Sequence, residues 1–339
     1  MVTIKQIASE ANVSITTVSR VLNYDETLVV HPSTREKIFN IAAELDYKPR
    51  KRNAYRKRLK IGLINSNGIN EELDDQYFLI VRKGIEKKIQ EDGNKLLNIY
   101  EYDEIEKTDG IICLGIFSKK ELKRIISYNK PAICVDSSQT IRGFDSIVHS
   151  LRDSMFEEIS YLLERGHYKI SYIGGKDIDK DGNFITDTRT YAYYDFMSVK
   201  NLLRNEYMKV GKFDVETGYQ FTKELLQLDD RPTAIIAAND NIAIGAYKAV
   251  QEAKLNIPND ISIIGFNDIP SSKYLKPSLT TTKFYLDVFS EKTVDMIVDK
   301  IRNRRDNDIQ LIIKSKLIER NSVKRIGKAI KIEKTDILQ

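Results

Sequence analysis

From residue 59 onward the chain repeats one pattern: a short β-branched run, then a longer stretch with helical spacing. "KIGLIN" precedes a predicted helix near residues 77–92 and then "NKLLNIY"; "DGIICLG" precedes another helix and "PAICVD". A helix predicted from about Asp153 to Arg165, stopped by Gly166, leads into "KISYIGG". "TAIIAAND" precedes a helix through Ala249, and "DISIIGFND" follows it. Such βαβα alternation predicts an open parallel sheet, or two of them. The length left for it predicts two lobes of roughly 110–150 residues each. The last strand-like run, "IQLIIKSKLIER", ends near Arg320, and the tail to Gln339 is basic and weakly periodic.

The first 49 residues follow a different rule. Ile4, Ile7, Ala8 and Ala11 stand at i, i+3, i+4 and i+7, behind a capping box of Thr3 and Gln6. Ser14 is a good N-cap for a second helix that buries Ile15, Val18, Val21 and Leu22. "NYDETLVVHPS" reads as a loop, and a third helix buries Ile38, Ile41, Ala42 and Leu45 before Pro49. The fold class predicted is a small all-α helix-turn-helix head followed by a two-lobe α/β domain with doubly wound parallel sheets. The predicted divisions are 1–49 for the head, 50–60 for a basic linker, 61–320 for the two lobes and 321–339 for the tail.

Charge separates the same two regions. Residues 1–60 hold 12 Lys/Arg against 6 Asp/Glu, while the remainder holds 42 against 43, so the net excess lies in the first sixth of the chain. More than half of those twelve cations fall in "RKRNAYRKRLK", from Arg50 to Lys60. A localised excess of this kind is the footprint expected for a polyanion. No run of about 18 apolar residues predicts a membrane span, and Met1–Lys5 lacks the start of a signal peptide. The expected location is therefore cytoplasmic. Cys113 and Cys134 sit in apolar runs and read as reduced core residues. His31, His149 and His167 lack metal-ligand spacing, so neither a metal nor a cofactor is expected.

A helix, a short turn and a second helix suit the DNA major groove, with the N-terminal end of the second helix entering first. Here that end is Ile15, Thr16 and Thr17, with Arg20 one turn later. A threonine bonds bases or phosphate and offers a methyl to thymine; an arginine grips guanine in bidentate fashion, worth roughly 1–3 kcal/mol of discrimination. Ser14 and Ser19 read as phosphate contacts. The full expected DNA-contacting set is Thr3, Ser14, Ile15, Thr16, Thr17, Ser19, Arg20, Asn23, Arg50, Arg52, Tyr55 and Arg56. The competing reading, a capping helical bundle with a polar face, does not account for the charge concentration.

"TIKQIASEANVSITTVSRVLN", then "STREKIFNIAAELDYKP", resembles the LacI/GalR family of bacterial transcription regulators. The resemblance continues through "GHYKISYIGG", "AANDNIAIGAYKA", "IPNDISIIGFND" and "PSLTTTKF", covering roughly residues 2–320. Through "NYDETLVV", "QYFLIVRKGIE" and "FNDIP" it is most similar to galactose- and β-galactosidase-operon repressors. The resemblance implies a homodimer on a pseudo-palindromic double-stranded operator and a periplasmic-binding-protein-like domain holding a small sugar effector between its lobes. It also implies a hinge helix that inserts a leucine into the minor groove. The linker here departs from that pattern: it is short and basic, it lacks the Ala-x-x-Leu pattern, and Leu59 stands close to the first strand.

Ligands of open α/β sheets sit beyond the carboxyl ends of the strands. Those ends carry Asn65 and Asn67, Asp136, Asn239 and Asp240, Asn267 and Asp268. Short polar side chains there suit a polyol, whose hydroxyls both donate and accept. The resemblance adds roles position by position. Arg189 matches the effector-clamping arginine, with Ala192 where most of the family has glycine. Asn239 matches the ligand-binding asparagine, Asn267 stands where relatives often have aspartate, and Asp136 matches the first-lobe acid. Tyr77, Phe78, Phe213 and Leu286 fall where relatives offer stacking or apolar surface.

The expected function is a repressor of a sugar-utilisation operon, with galactose or a galactoside as effector; a sugar phosphate or nucleobase is the alternative effector. A sugar enzyme with a fused DNA-binding head is disfavoured: no P-loop, no GxGxxG after the first strand and no nucleophile elbow is present. An extracytoplasmic sugar-binding protein would not carry this basic head.

Overall fold

Three amphipathic helices build the N-terminal unit: α1 (Ile4–Ala11), α2 (Ile15–Leu22) and α3 (Pro32–Glu44). The computed structural model describes residues 2–22, 28–45, 47, 58–66, 76–137 and 141–328. The chain divides into two compact units, Met1–Lys57 and Arg58–Gln339.

In the first unit Ile7, Ala8, Ala11, Val18, Val21, Ile38, Ile41 and Ala42 form the core. The capping box of Thr3 and Gln6 opens α1. Asn12 ends it in the left-handed region at φ 56°, its N–H bonded back to Ala8 and Ser9. Ser14 then accepts from the Thr17 N–H at 3.0 Å and caps α2. One core expectation is corrected here. Ile15 is 51% exposed, because it is the first residue of α2 and precedes the face that Val18 and Val21 turn inward. Leu22 and Leu45 are only partly buried at the rim of this thin core.

The second unit holds two sheets. The first runs β12-β5-β4-β3-β1-β2, all parallel: β1 (Lys60–Asn65), β2 (Lys95–Asn98), β3 (Gly110–Leu114), β4 (Ala132–Val135), β5 (Phe144–His149) and β12 (Gln310–Ile313). Helices α4 (Gln76–Glu91), α5 (Lys119–Ile126) and α10 (Leu286–Asn303) belong to this lobe. The second sheet runs β13-β11-β10-β9-β6-β7, with β8 also on β6. Its strands are β6 (Ile170–Ile178), β7 (Phe184–Thr186), β8 (Met208–Gly211), β9 (Ala234–Ala237), β10 (Ser262–Asn267), β11 (Thr280–Lys283) and β13 (Lys316–Ile318). Only β7 and β13 run antiparallel to their neighbours. Helices α6 (Leu151–Glu164), α7 (Thr188–Val199), α8 (Val215–Leu226) and α9 (Asp240–Glu252) cover it.

The central strands are buried on both faces, as a parallel sheet under helices demands, while β2, β7, β8, β12 and β13 are partly exposed. Ile61, Ile112, Ile133, Ile147, Ile170, Ile235 and Ile263 are fully enclosed. Cys113 and Cys134 are buried free thiols opposite each other on β3 and β4. The chain passes between lobes three times: at Ser150 after β5, at Phe284–Tyr285 after β11, and at Lys314–Ser315 after β12. The run "IQLIIKSKLIER" is thus two strands in two sheets and not one. Its alternation runs on through the crossing, so nothing in the pattern marks the break. Residues beyond Arg320 continue against the second lobe, where Ser322 is buried and donates to the Ile263 carbonyl at 2.6 Å. Among the described residues, no helix is long and apolar enough to cross a membrane.

Candidate functional site

A cavity of about 900 Å³ opens where the carboxyl ends of both sheets face each other. Seven of the eight expected effector residues line it: Tyr77, Phe78, Asp136, Arg189, Phe213, Asn239 and Asn267. Leu286 does not. It lies on an adjoining cavity of about 240 Å³ with Ile80, Ile269 and Pro270, because α10 begins beyond the second crossover.

Arg189 is the most constrained of these side chains. Asp187 caps α7 by accepting from the Arg189 N–H at 2.8 Å, so cap and guanidinium are two residues apart at a helix start. The same carboxylate takes Nε at 2.7 Å and Nη2 at 2.8 Å, while Nη1 donates to the Ala238 carbonyl at the end of β9. Phe213 and Phe266 lie 5.1 and 5.5 Å from the guanidinium carbon. Burial opposes the charge, yet the Asp187 carboxylate outweighs it and raises the pKa. Of five guanidinium hydrogens, three are used in this way. The remaining two, one on each terminal nitrogen, suit a vicinal pair of oxygens.

The Phe213 ring owes its place to Gly175, at the end of the "YIGG" run. A Cβ on Gly175 would lie 2.5 Å from that ring. The double glycine therefore has a packing role.

The "AAND" turn divides its labour. Asn239 is N-cap of α9: its Oδ1 accepts from the Ile242 N–H at 2.8 Å and its Nδ2 donates to the Phe213 carbonyl at 2.9 Å. One amide hydrogen is left for a ligand. Asp240, expected beside it at the strand end, does not line the cavity. It is fully buried and braces the second lobe, accepting from Ser272 Oγ at 2.5 Å, Thr281 Oγ1 at 2.7 Å and the Ile269 N–H at 2.8 Å. Burial pushes its carboxyl up to about 7 despite those three donors. Asp268 is drawn off to Arg320 at 2.6 Å. Asn267 ends β10 at φ 100° and its amide has no hydrogen bond to a described residue. Asp136 directly follows β4 at φ 56°, and its charge contributes to raising the Arg189 pKa.

The first-lobe wall is aromatic. His149 is stacked between Phe284 and Phe289, each 4.2 Å away, and its Nε2 lies 2.8 Å from the Tyr77 hydroxyl. Burial, then the Arg189 charge, lowers its pKa to about 3, so the imidazole is neutral. Sequence reasoning passed over His149 because histidines were tested only for metal spacing. The strand-end rule that located Asp136 locates His149 equally, as the last residue of "FDSIVH". Among the described residues no cluster of His, Cys, Asp and Glu is arranged to hold a metal.

On the head, Ser14, Ile15 and Thr16 are exposed, and Thr17, Ser19 and Arg20 are half-buried along α2. Ser14 Oγ also lies 2.8 Å from Thr17 Oγ1, so these hydroxyls share a cap. Thr3 is exposed at the start of α1. Asn23, Arg50, Arg52, Tyr55 and Arg56 lie outside the described residues. Leu59 is buried beneath β1 in the core of the second unit, which leaves it no freedom to act as a groove wedge.

A helix-turn-helix head joined to a two-lobe ligand-binding fold defines a class, the ligand-responsive bacterial regulators. Residues 3–50 match "Bacterial regulatory proteins, lacI family", and residues 159–323 match "Periplasmic binding protein-like domain". The HTH-type transcriptional regulator GalR of Lacticaseibacillus casei is 32% identical over 329 residues, spanning 95% of this chain and 99% of its own. The HTH-type transcriptional regulator GanR of Bacillus subtilis (strain 168) is 33% identical over 333 residues, spanning 95% of this chain and 100% of its own. A lac repressor dimer bound to operator and the anti-inducer ONPF has the same fold, with a TM-score of 0.67 at 24% identity over 95% of this chain and 99% of that one. The chain belongs to the lacI family of bacterial transcriptional regulators.

Proposed function

We propose that this protein is a homodimeric repressor of a sugar-utilisation operon, released from its operator by galactose or a galactoside. The observation that carries the reading is the Arg189 clamp. A guanidinium fixed by Asp187 and Ala238 keeps two N–H groups for a ligand inside a cleft that also offers the Asn267 amide, which bonds to no described residue. Donors and acceptors converging over aromatic rings are what a polyol requires. The regulators GalR and GanR and the repressor MelR are matched over 90–95% of the chain, which supports the repressor part of the reading.

In this reading residues 1–49 read the operator and residues 50–60 grip phosphate. Residues 61–320 bind effector and dimerise. Thr16, Thr17 and Arg20 read base edges, with Ile15 against a thymine methyl. Thr3, Ser14, Ser19, Asn23, Arg50, Arg52, Tyr55 and Arg56 position the head. Asp136, Arg189, Asn239 and Asn267 bind the sugar hydroxyls, and Tyr77, Phe78 and Phe213 pack its ring. The sugar acts through its different affinity for two arrangements of the lobes, and a dimer transmits the difference to both heads.

The test begins with duplexes selected from a random pool by the full chain. Arg20→Ala should relax the sequence preference of the selected site. A variant that keeps the preference and loses only salt sensitivity would place Arg20 on phosphate instead. Adding D-galactose or lactose at fixed salt should weaken binding; if neither does, the effector assignment is wrong.

A further inference from the structure

The first turn of α6 opens onto the cleft at the first crossover between the lobes. Ser150, Leu151, Arg152 and Asp153 all line the cavity. Ser150 is only 8% exposed. Its backbone is committed, the N–H to the Ile313 carbonyl at 3.1 Å and the carbonyl to Ser154 N–H at 2.9 Å. Its hydroxyl is not: as N-cap it makes no capping bond, and it pairs with no described residue. The N–H groups of Leu151, Arg152 and Asp153 likewise meet no acceptor among the described residues. Across the cleft, by contrast, Asn239 caps α9 with its own side chain. A buried hydroxyl beside open first-turn amides presents donors to an acceptor oxygen.

The surroundings select which oxygen. Charges of both signs line the cavity here: the exposed Asp153 carboxylate stands in the same turn, with Asp177 nearby in the lining. Arg152 and Lys180 are already paired with Asp195 and Glu121, so the turn offers no uncommitted cation to an anion. Ile178, Ile185 and Ile312 line this cavity and offer apolar surface to the C–H face of a ring. At about 900 Å³ the cavity is near the upper end for a drug-sized ligand, which leaves room beyond the floor at Arg189.

We propose that the cleft contains a second sugar subsite built on Ser150 and the first turn of α6, so that the effector is a glycoside of two linked sugar units. The inner unit lies against Arg189, Asn239 and Asn267. The outer unit accepts hydrogen bonds from Ser150 Oγ and the open amides, with its apolar face on the isoleucines. This rests on the sugar reading of the cleft and names the class of sugar.

Isothermal titration of the full chain with D-galactose, lactose and D-galacturonate tests it, using wild type and Ser150→Ala. Wild type should bind lactose about tenfold more tightly than galactose, and the lactose-to-galactose ratio should fall about fivefold in the variant. Thermal unfolding checks that the variant is folded. Should it fail to fold, the wild-type preference alone decides. Equal affinity of wild type for lactose and galactose would overturn the subsite while leaving the sugar reading intact. So would an unchanged ratio in the folded variant. Tightest binding of galacturonate would make it a carboxylate site. Binding of none of the three would overturn both readings.

Discussion

The two walls of the cleft are made of different materials. The second-lobe wall is polar and already bonded: Arg189 is held by Asp187 and Ala238, Asn239 caps its own helix, and Asp240 is sealed beneath with Ser272 and Thr281. The first-lobe wall, Asp136 apart, is mainly aromatic: Tyr77, His149 and Phe284 line it, Phe284 on the second crossover, with Phe289 stacked behind His149. Polar groups in a fixed frame set orientation at little entropic cost when the ligand arrives. Rings at a crossover pack on whatever that frame holds, and can shift with the lobes. The contrast assigns most of the specificity to the second-lobe wall and closure to the rings of the first.

Removing the polar frame should have the largest effect. Arg189→Ala is expected to lower sugar affinity by a factor of about 100, the loss of a charge-assisted bidentate contact. Operator binding of the sugar-free protein should persist. If operator binding also disappears, the arginine holds the fold and the contrast between the walls is lost.

The buried brace comes next. Asp240→Ala should reduce unfolding free energy by about 3 kcal/mol, since three donors lose their acceptor in a closed core. Urea unfolding measures this, and a loss under 1 kcal/mol would mean that the frame is less rigid than described.

The aromatic wall should show its character in acid. His149 is neutral in the fold with a pKa lowered to about 3, against an ordinary value of 6.5. The unfolded chain binds a proton that the folded chain refuses. Its contribution is therefore complete above pH 6.5 and is lost as pH falls toward 3. Between pH 7 and 5 this residue alone should cost about 2 kcal/mol. In His149→Phe the fall in stability across that range should shrink by about that amount. An unchanged slope would mean that the histidine is not shielded.

The smallest effect tests the join between ring and hydroxyl. Tyr77→Phe removes the 2.8 Å contact to His149 but keeps the stack, so sugar affinity should fall about threefold or less. A loss as large as that of Arg189→Ala would make the first-lobe wall a specificity element and erase the distinction.

How much of this was legible in the sequence varies with the physics involved. Alternation of β-branched runs with helical spacing is a property of the chain alone, and the parallel sheets followed from it. Strand ends were equally legible: Asp136, Asn239 and Asn267, read from them, share one cavity with Arg189, which the family resemblance supplied and which lies at a helix start. What adjacent residues do there was not. Asn239 and Asp240 are neighbours of similar chemistry, yet one caps a helix at the cleft and the other is buried; only the direction of each side chain separates them. Ile15 has the spacing of a core residue, but its position at the start of α2 turns it outward. The division of "IQLIIKSKLIER" between two sheets left no mark because alternation is the same on either side of a lobe crossing. Ser150 was invisible for a related reason: a serine before a helix normally signals a cap, and here its cap is unmade.

The central claim is that a sugar held at Arg189 controls the grip of the head on DNA. Fluorescence anisotropy of a labelled selected operator, titrated with the full chain at fixed salt, tests it most directly when run with and without saturating lactose. The account predicts that lactose raises the operator Kd about tenfold or more in wild type and leaves it unaltered in Arg189→Ala. A wild-type operator Kd that is the same with and without lactose, or a lactose effect that survives in Arg189→Ala, would contradict it.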